Sequence, residues 1–308
     1  MRMIIIFEDE KGYIMHRLFS VFPVALTLLF SATTWANETK APAPLITVVT
    51  EGTGPDVILI PGLASSRSVW DGLSTQLSSG YTLHKVQLAG FAGQAPATRD
   101  NGEFVGPVAK AIADYIRQNA LSHPAIIGHS LGGEVALLIA AQHPELPGRV
   151  AVIDALPFFS LMFNPQATKA SVAPQANQFR QMLLTASEAD FARQQQQAMA
   201  RLIKTDAARE QLVNASLISD RQTLADATYD IMTLDLRPQL PNIRVPVTVL
   251  YAWDPLYGIP AAQSDTLYSQ AYSALKGVKL TRVDNSFHFV MYDQPAEFTR
   301  QVKAFLRE

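Results

Sequence analysis

Ala125-Ile126-Ile127-Gly128-His129-Ser130-Leu131-Gly132-Gly133-Glu134-Val135-Ala136 is the stretch on which the reading of this chain turns. It opens as a short apolar run. Val135, Leu138 and Ile139 then recur at helical spacing until Pro144 forbids continuation. Between the two lies a serine flanked by glycines. A serine projected from a sharp turn between strand and helix needs neighbours without side chains, and Gly128 and Gly132 stand at those positions. The helix that begins there aims unpaired backbone N–H groups at any anion formed beside the hydroxyl. Ser130 is therefore read as a nucleophile. A Gly-x-Ser-x-Gly pentapeptide alone is a common turn; the strand before it and the helix after it carry the reading.

Working outward, Asp56-Val57-Ile58-Leu59-Ile60 is a buried strand running into the small-residue loop Pro61-Gly62-Leu63-Ala64-Ser65-Ser66. Val69, Leu73 and Leu77 mark the next helix, Tyr81 to Leu88 the next strand, and Val108, Ile112, Tyr115 and Ile116 an amphipathic helix. Arg149 to Ile153 is a further strand closing at Asp154. Alternating strands and helices imply a mostly parallel sheet covered by helices on both faces, with function at the strand carboxyl ends. From Leu156 to Leu240 the pattern is one helix after another, with Ser187-Glu188-Ala189-Asp190 a capping box at the start of one. Val245 to Tyr251 restores the sheet and leads to Asp254; Val278 to Val283 is the last strand, followed by Asn285-Ser286-Phe287-His288-Phe289. The expected organisation is a core of residues 45–155 and 241–308 with a helical cap, 156–240, inserted over the site. Phe158, Phe159, Met162 and Phe163 at the cap entrance are candidate lining for an apolar pocket, although such clusters serve equally as core.

The chain has 308 residues, 48% hydrophobic and 17% charged, enough for a sizeable core and unlike a disordered or multi-span membrane protein. A formal net charge of −2 without a long basic run gives no support for nucleic-acid binding, and a small neutral or weakly charged substrate fits better. With no cysteine, disulfides, thiolate metal sites and cysteine nucleophiles drop out. Arg17 precedes an apolar run from Leu18 to Phe30, then Thr34-Trp35-Ala36, the pattern of a secretory signal over residues 1–36 cleaved after Ala36. Acidic Glu8, Asp9 and Glu10 fit a signal poorly, so Met15 is an alternative start. The run is short of the roughly 20 apolar residues of a membrane span, so no stable span is expected after cleavage; an uncleaved anchor is the other reading.

These motifs resemble the α/β-hydrolase fold family over nearly all of the mature chain. The Gly-His-Ser-Leu-Gly turn, the Pro-Gly-Leu loop, Asp254 past a late strand and Ser-Phe-His288-Phe near the end stand in the family's order of serine, acid and histidine. The resemblance implies Ser130 as nucleophile, His288 as general base, Asp254 as the carboxylate orienting it, and the N–H groups of Leu63 and Leu131 as the oxyanion hole. A serine hydroxyl needs a base with a pKa near neutrality, which histidine supplies. Of the six histidines, His288 follows the last strand, His129 lies inside the turn and His16 leaves with the signal. Some family members place the acid where Asp154 ends its strand, whereas Asp235 and Asp284 suit turns; Asp254 is the choice made here. Where the family often has His-Gly, this chain has Pro61-Gly62, which leaves oxyanion positioning to backbone contacts.

No cofactor or metal is implied. The expected function is an exported serine hydrolase of carboxylic esters with small or medium apolar groups, working through an acyl-enzyme in the periplasm or outside the cell. Amidase, aminopeptidase, lactonase, thioesterase and carbon–carbon hydrolase chemistry use the same constellation, and a non-catalytic binding protein of the same fold is the alternative of another class.

Overall fold

In a computed structural model, residues 43–99 and 102–308 are described. The expected signal sequence and its expected cleavage site lie outside them. The elements, in order, are β1 (Ile46–Gly52), β2 (Asp56–Ile60), α1 (Asp71–Leu77), β3 (Thr82–Leu88), α2 (Val105–Gln118), β4 (Ala125–His129), α3 (Leu131–Gln142) and β5 (Arg149–Ile153). Four helices follow: α4 (Lys169–Thr185), α5 (Glu188–Leu202), α6 (Asp206–Leu217) and α7 (Arg221–Thr233). The chain then runs through β6 (Val247–Trp253), α8 (Ala261–Ala271), β7 (Lys279–Asp284), α9 (Val290–Asp293) and α10 (Pro295–Arg307).

The seven strands form one sheet in the order β1-β3-β2-β4-β5-β6-β7. Only β1 runs against its neighbour; every other pair is parallel. Two-residue alternation divides the inner strands between two cores. Ile58, Ile60, Val150 and Val152 pack with α2, α3 and α8, while Val57, Leu59, Ala151 and Ile153 pack with α1 and α10. Both faces being buried explains why these strands read as continuous apolar runs. The parallel order brings the carboxyl ends of β2, β4, β5, β6 and β7 to one edge, where Leu63, Ser130, Asp154, Asp254 and His288 follow their strands.

Three of the four helices between β5 and β6 start at side-chain caps. Thr168 and Ser171 exchange bonds in a full capping box on α4. Ser187 accepts from Asp190 N–H on α5, while its own hydroxyl donates to the Asp190 carboxylate. Asp220 accepts from Thr223 N–H on α7. Among the described residues no helix is long and apolar enough to cross a membrane.

Candidate active site

The turn between β4 and α3 holds Ser130 at φ +53° and ψ −122°, a left-handed backbone that a non-glycine residue adopts only when its surroundings enforce it. They do so by close approach. A Cβ on Gly128 would lie 2.0 Å from the Gly132 carbonyl oxygen, and one on Gly132 would lie 2.3 Å from that of Ile60. Ser130 N–H donates to Ile153 O at 2.9 Å, while its carbonyl accepts from Gly133 and Glu134. The loop after β2 lies against this turn, since a Cβ on Gly62 would be 3.1 Å from Ser130 Cβ. Among the described residues neither Leu63 N–H nor Leu131 N–H has a hydrogen-bond acceptor, so both donors expected for an oxyanion hole are free.

His288 lies between β7 and α9, and its Nδ1 is 2.7 Å from Asp154 Oδ2. The expectation that Asp254 orients His288 is therefore corrected: the partner is Asp154. Asp154 Oδ1 accepts from Ala252 N–H at 2.9 Å and from the Tyr268 hydroxyl at 3.0 Å, so both carboxylate oxygens are held. The reason is strand order. β5 adjoins β4, so the residue closing β5 lies one strand from Ser130, whereas Asp254 closes β6 one strand further out. Asp254 instead accepts from Leu256 N–H at the start of the 3-10 turn Pro255–Tyr257 and forms an ion pair with Lys204 from the α5–α6 link. Burial alone would raise its pKa, but the Lys204 ammonium and the Leu256 N–H outweigh it and hold the carboxyl below its ordinary value.

Two residues that hold the His288 loop were not singled out from sequence. His129 is fully buried, and burial, followed by the nearby His288, pushes its pKa well below the ordinary value despite an opposing backbone bond. It is neutral, and its Nε2–H donates to the His288 carbonyl oxygen at 3.1 Å. Asp293 accepts from the N–H groups of Phe287, Lys204 and Thr205 at 2.9, 3.0 and 2.9 Å and from the Thr205 hydroxyl at 2.8 Å. Phe289 N–H adds a bond to Leu202 O at 3.1 Å. The α5–α6 link and the His288 loop are thereby tied together. The sequence signal for His129 is only its place in the turn; Asp293 carries none.

Ser130 and His288 line one apolar cavity of about 330 Å³ with Leu63, Phe159 and Phe163. Phe159 and Phe163 meet edge to face with ring centroids 5.4 Å apart. Two expected lining residues are corrected. Phe158 is fully buried in the core with Arg237 5.1 Å over its ring, and Met162 is half-exposed outside the cavity. The short 3-10 helix Phe159–Met162 turns consecutive side chains in different directions, which spacing alone does not reveal. Half of the lining residues come instead from the four helices after β5, Phe179, Met199, Leu202, Leu224, Ile231 and Met232 among them. That this stretch is helical was legible, but not which of its residues face the site.

Residues 57–301 match the model of the alpha/beta hydrolase family. A pimeloyl-[acyl-carrier protein] methyl ester esterase of Vibrio vulnificus (strain YJ016) is 27% identical over 267 residues, covering 83% of this chain and 96% of that protein. A protein of the same name from Nitrosomonas europaea is 32% identical over 114 residues, 37% of this chain and 42% of its own length. Among solved structures, the esterase EaEST from Exiguobacterium antarcticum superimposes with a TM-score of 0.70 at 19% identity, covering 85% of this chain and 96% of that one. With an enforced serine turn at the end of β4, a histidine paired to a strand-end carboxylate, and a family match over most of its length, this chain belongs to the α/β-hydrolase family and is a hydrolase.

Proposed function

We propose that the chain is an exported serine hydrolase of carboxylic esters. The observation that carries the reading is that Ser130 and the Asp154-paired His288 open into one apolar cavity. In this mechanism Ser130 Oγ attacks the ester carbonyl carbon while its proton passes to His288 Nε2. Asp154 holds the Nδ1–H tautomer and stabilises the imidazolium. The oxyanion is received by the N–H groups of Leu63 and Leu131. Collapse expels the alcohol, which takes the proton from His288, and leaves an acyl-enzyme on Ser130. Water, deprotonated by His288, then attacks the acyl carbon, releasing the acid and restoring the serine.

The cavity wall favours a neutral apolar acyl group, because no Asp, Glu, Lys or Arg lines it among the described residues. An aminopeptidase would want an acidic residue for the substrate amine. The relatives named as methyl ester esterases and the esterase neighbour agree with ester chemistry. Export rests on the pattern from Arg17 to Ala36. The test is labelling by a fluorophosphonate probe with a panel of acyl esters: Ser130 is expected to be the modified residue and neutral esters the substrates. An unlabelled Ser130 alongside a folded protein would leave a binding protein of this fold, and cleavage confined to aminoacyl arylamides would replace esterase by aminopeptidase.

A further inference from the structure

Away from the reacting groups the cavity wall is largely apolar, and two of its polar side chains are bonded to each other. Gln195 of α5 and Ser216 of α6 both line it, and the Ser216 hydroxyl donates to Gln195 Oε1 at 2.7 Å. The other hydroxyls of the wall are committed to backbone. Ser65 Oγ donates to Leu63 O at 3.2 Å and Thr228 Oγ1 to Leu224 O at 2.7 Å. With the buried Ser216 hydroxyl donating to Gln195 Oε1, the Nε2 end of the carboxamide is turned away from Ser216. Gln195 Nε2 has no acceptor among the described residues. Gln195 is half-buried, so this donor is open at the cavity wall, where a ligand oxygen can accept from it.

Its place is set by the helix. Gln195, Ala198, Met199 and Leu202 share one face of α5 and all line the cavity, and the Leu202 carbonyl holds Phe289 N–H beside His288. Seven residues separate Gln195 from Leu202, about 10 Å along the helix axis. We infer that Gln195, oriented by Ser216, is a subsite for a neutral hydrogen-bond acceptor, a keto, ether or second ester oxygen, carried far along the acyl chain from the scissile carbonyl. A carboxylate does not fit, since no cation on the wall would balance it.

This inference rests on the ester-hydrolase reading, so its test has a binding arm that needs no turnover. The ligands are methyl nonanoate, its isomers with a ketone at successive carbons, and the corresponding hydroxy esters. Binding is measured by calorimetry on Ser130→Ala protein, and kcat/KM on wild type, each repeated with Gln195→Met and Ser216→Ala. One keto isomer with its oxygen in the outer part of the chain is expected to bind roughly five-fold more tightly than methyl nonanoate. The preference should vanish with Gln195→Met and weaken with Ser216→Ala, with melting temperatures verifying that each variant is folded. Equal binding of all isomers overturns the inference, as does a preference that survives Gln195→Met or one for hydroxy over keto esters. Selective binding without turnover of any ester by wild type upholds the subsite and removes the ester-hydrolase reading instead.

Discussion

Asp154 meets two demands at once. Its backbone sits at φ +49°, a left-handed conformation that aspartate tolerates better than most residues, and its two oxygens are divided between His288 and the Ala252 and Tyr268 donors. A carboxylate so fixed sets the histidine tautomer, whereas an amide in its place can present N–H to Nδ1. Asp154→Asn is expected to lower kcat by ~10⁴-fold, as is Ser130→Ala with an unchanged melting temperature. Asp254→Asn should lower the melting temperature by unpairing Lys204 while turnover persists; ester hydrolysis and thermal melting on the three proteins decide, and a larger kinetic loss at Asp254 would restore it as the acid. His129→Phe removes the donor to the His288 carbonyl. We expect a loss in kcat of up to ~10²-fold from a displaced base with KM little changed, read by steady-state kinetics on one ester. The sequence made Ser130 and His288 legible because local pattern fixes a strand end and a loop after the last strand. It pointed to Asp254 as the acid, wrongly, because Asp154 and Asp254 both follow strands and only sheet order separates them.

Among the elements, the 3-10 helix Phe159–Met162 divides neighbours that look alike in the sequence. Phe158 is core beneath Arg237, while Phe163 is exposed on one side and lines the cavity on the other. Phe158→Ala is expected to cost about 3–5 kcal/mol of stability and leave the acyl-length profile in place. Phe163→Ala should shift the optimum toward longer acyl groups at little cost in stability, because the lost ring was already partly solvated. A p-nitrophenyl ester series together with denaturant melts separates the two; coincident profiles for wild type and Phe163→Ala would make that ring irrelevant to selection. The stretch holding α4 to α7 was readable as successive helices, with one capping box, yet which apolar positions face the site depends on how the helices pack together.

For the molecule as a whole, the sheet was the most legible feature, since burial on both faces writes itself into continuous β-branched runs such as Asp56–Ile60 and Arg149–Ile153. Less legible was a carboxyl group buried beside it. Glu134, in the first turn of α3, is buried, and burial followed by nearby Asp230 pushes its pKa well above 4.5. Its Oε2 has no partner among the described residues. A raised pKa contributes stability in full below about 4.5, and this is lost as pH rises and the unfolded chain ionises first, by up to ~1.4 kcal/mol per pH unit. Glu134→Gln does not titrate, so its melting temperature relative to wild type should rise between pH 4 and pH 8; a constant difference would show that Glu134 ionises alike in both states. The bonds from Asp293 and Phe289 to the Leu202–Thr205 link bear on how such an enzyme is re-engineered. Residues 156–240 look like a cassette that a relative's sequence could replace, but the histidine loop is fastened to the middle of that cassette. A transplanted segment lacking the Leu202–Thr205 backbone path would release His288 along with the old specificity, so a graft must keep that path or import the recipient loop's counterpart with it.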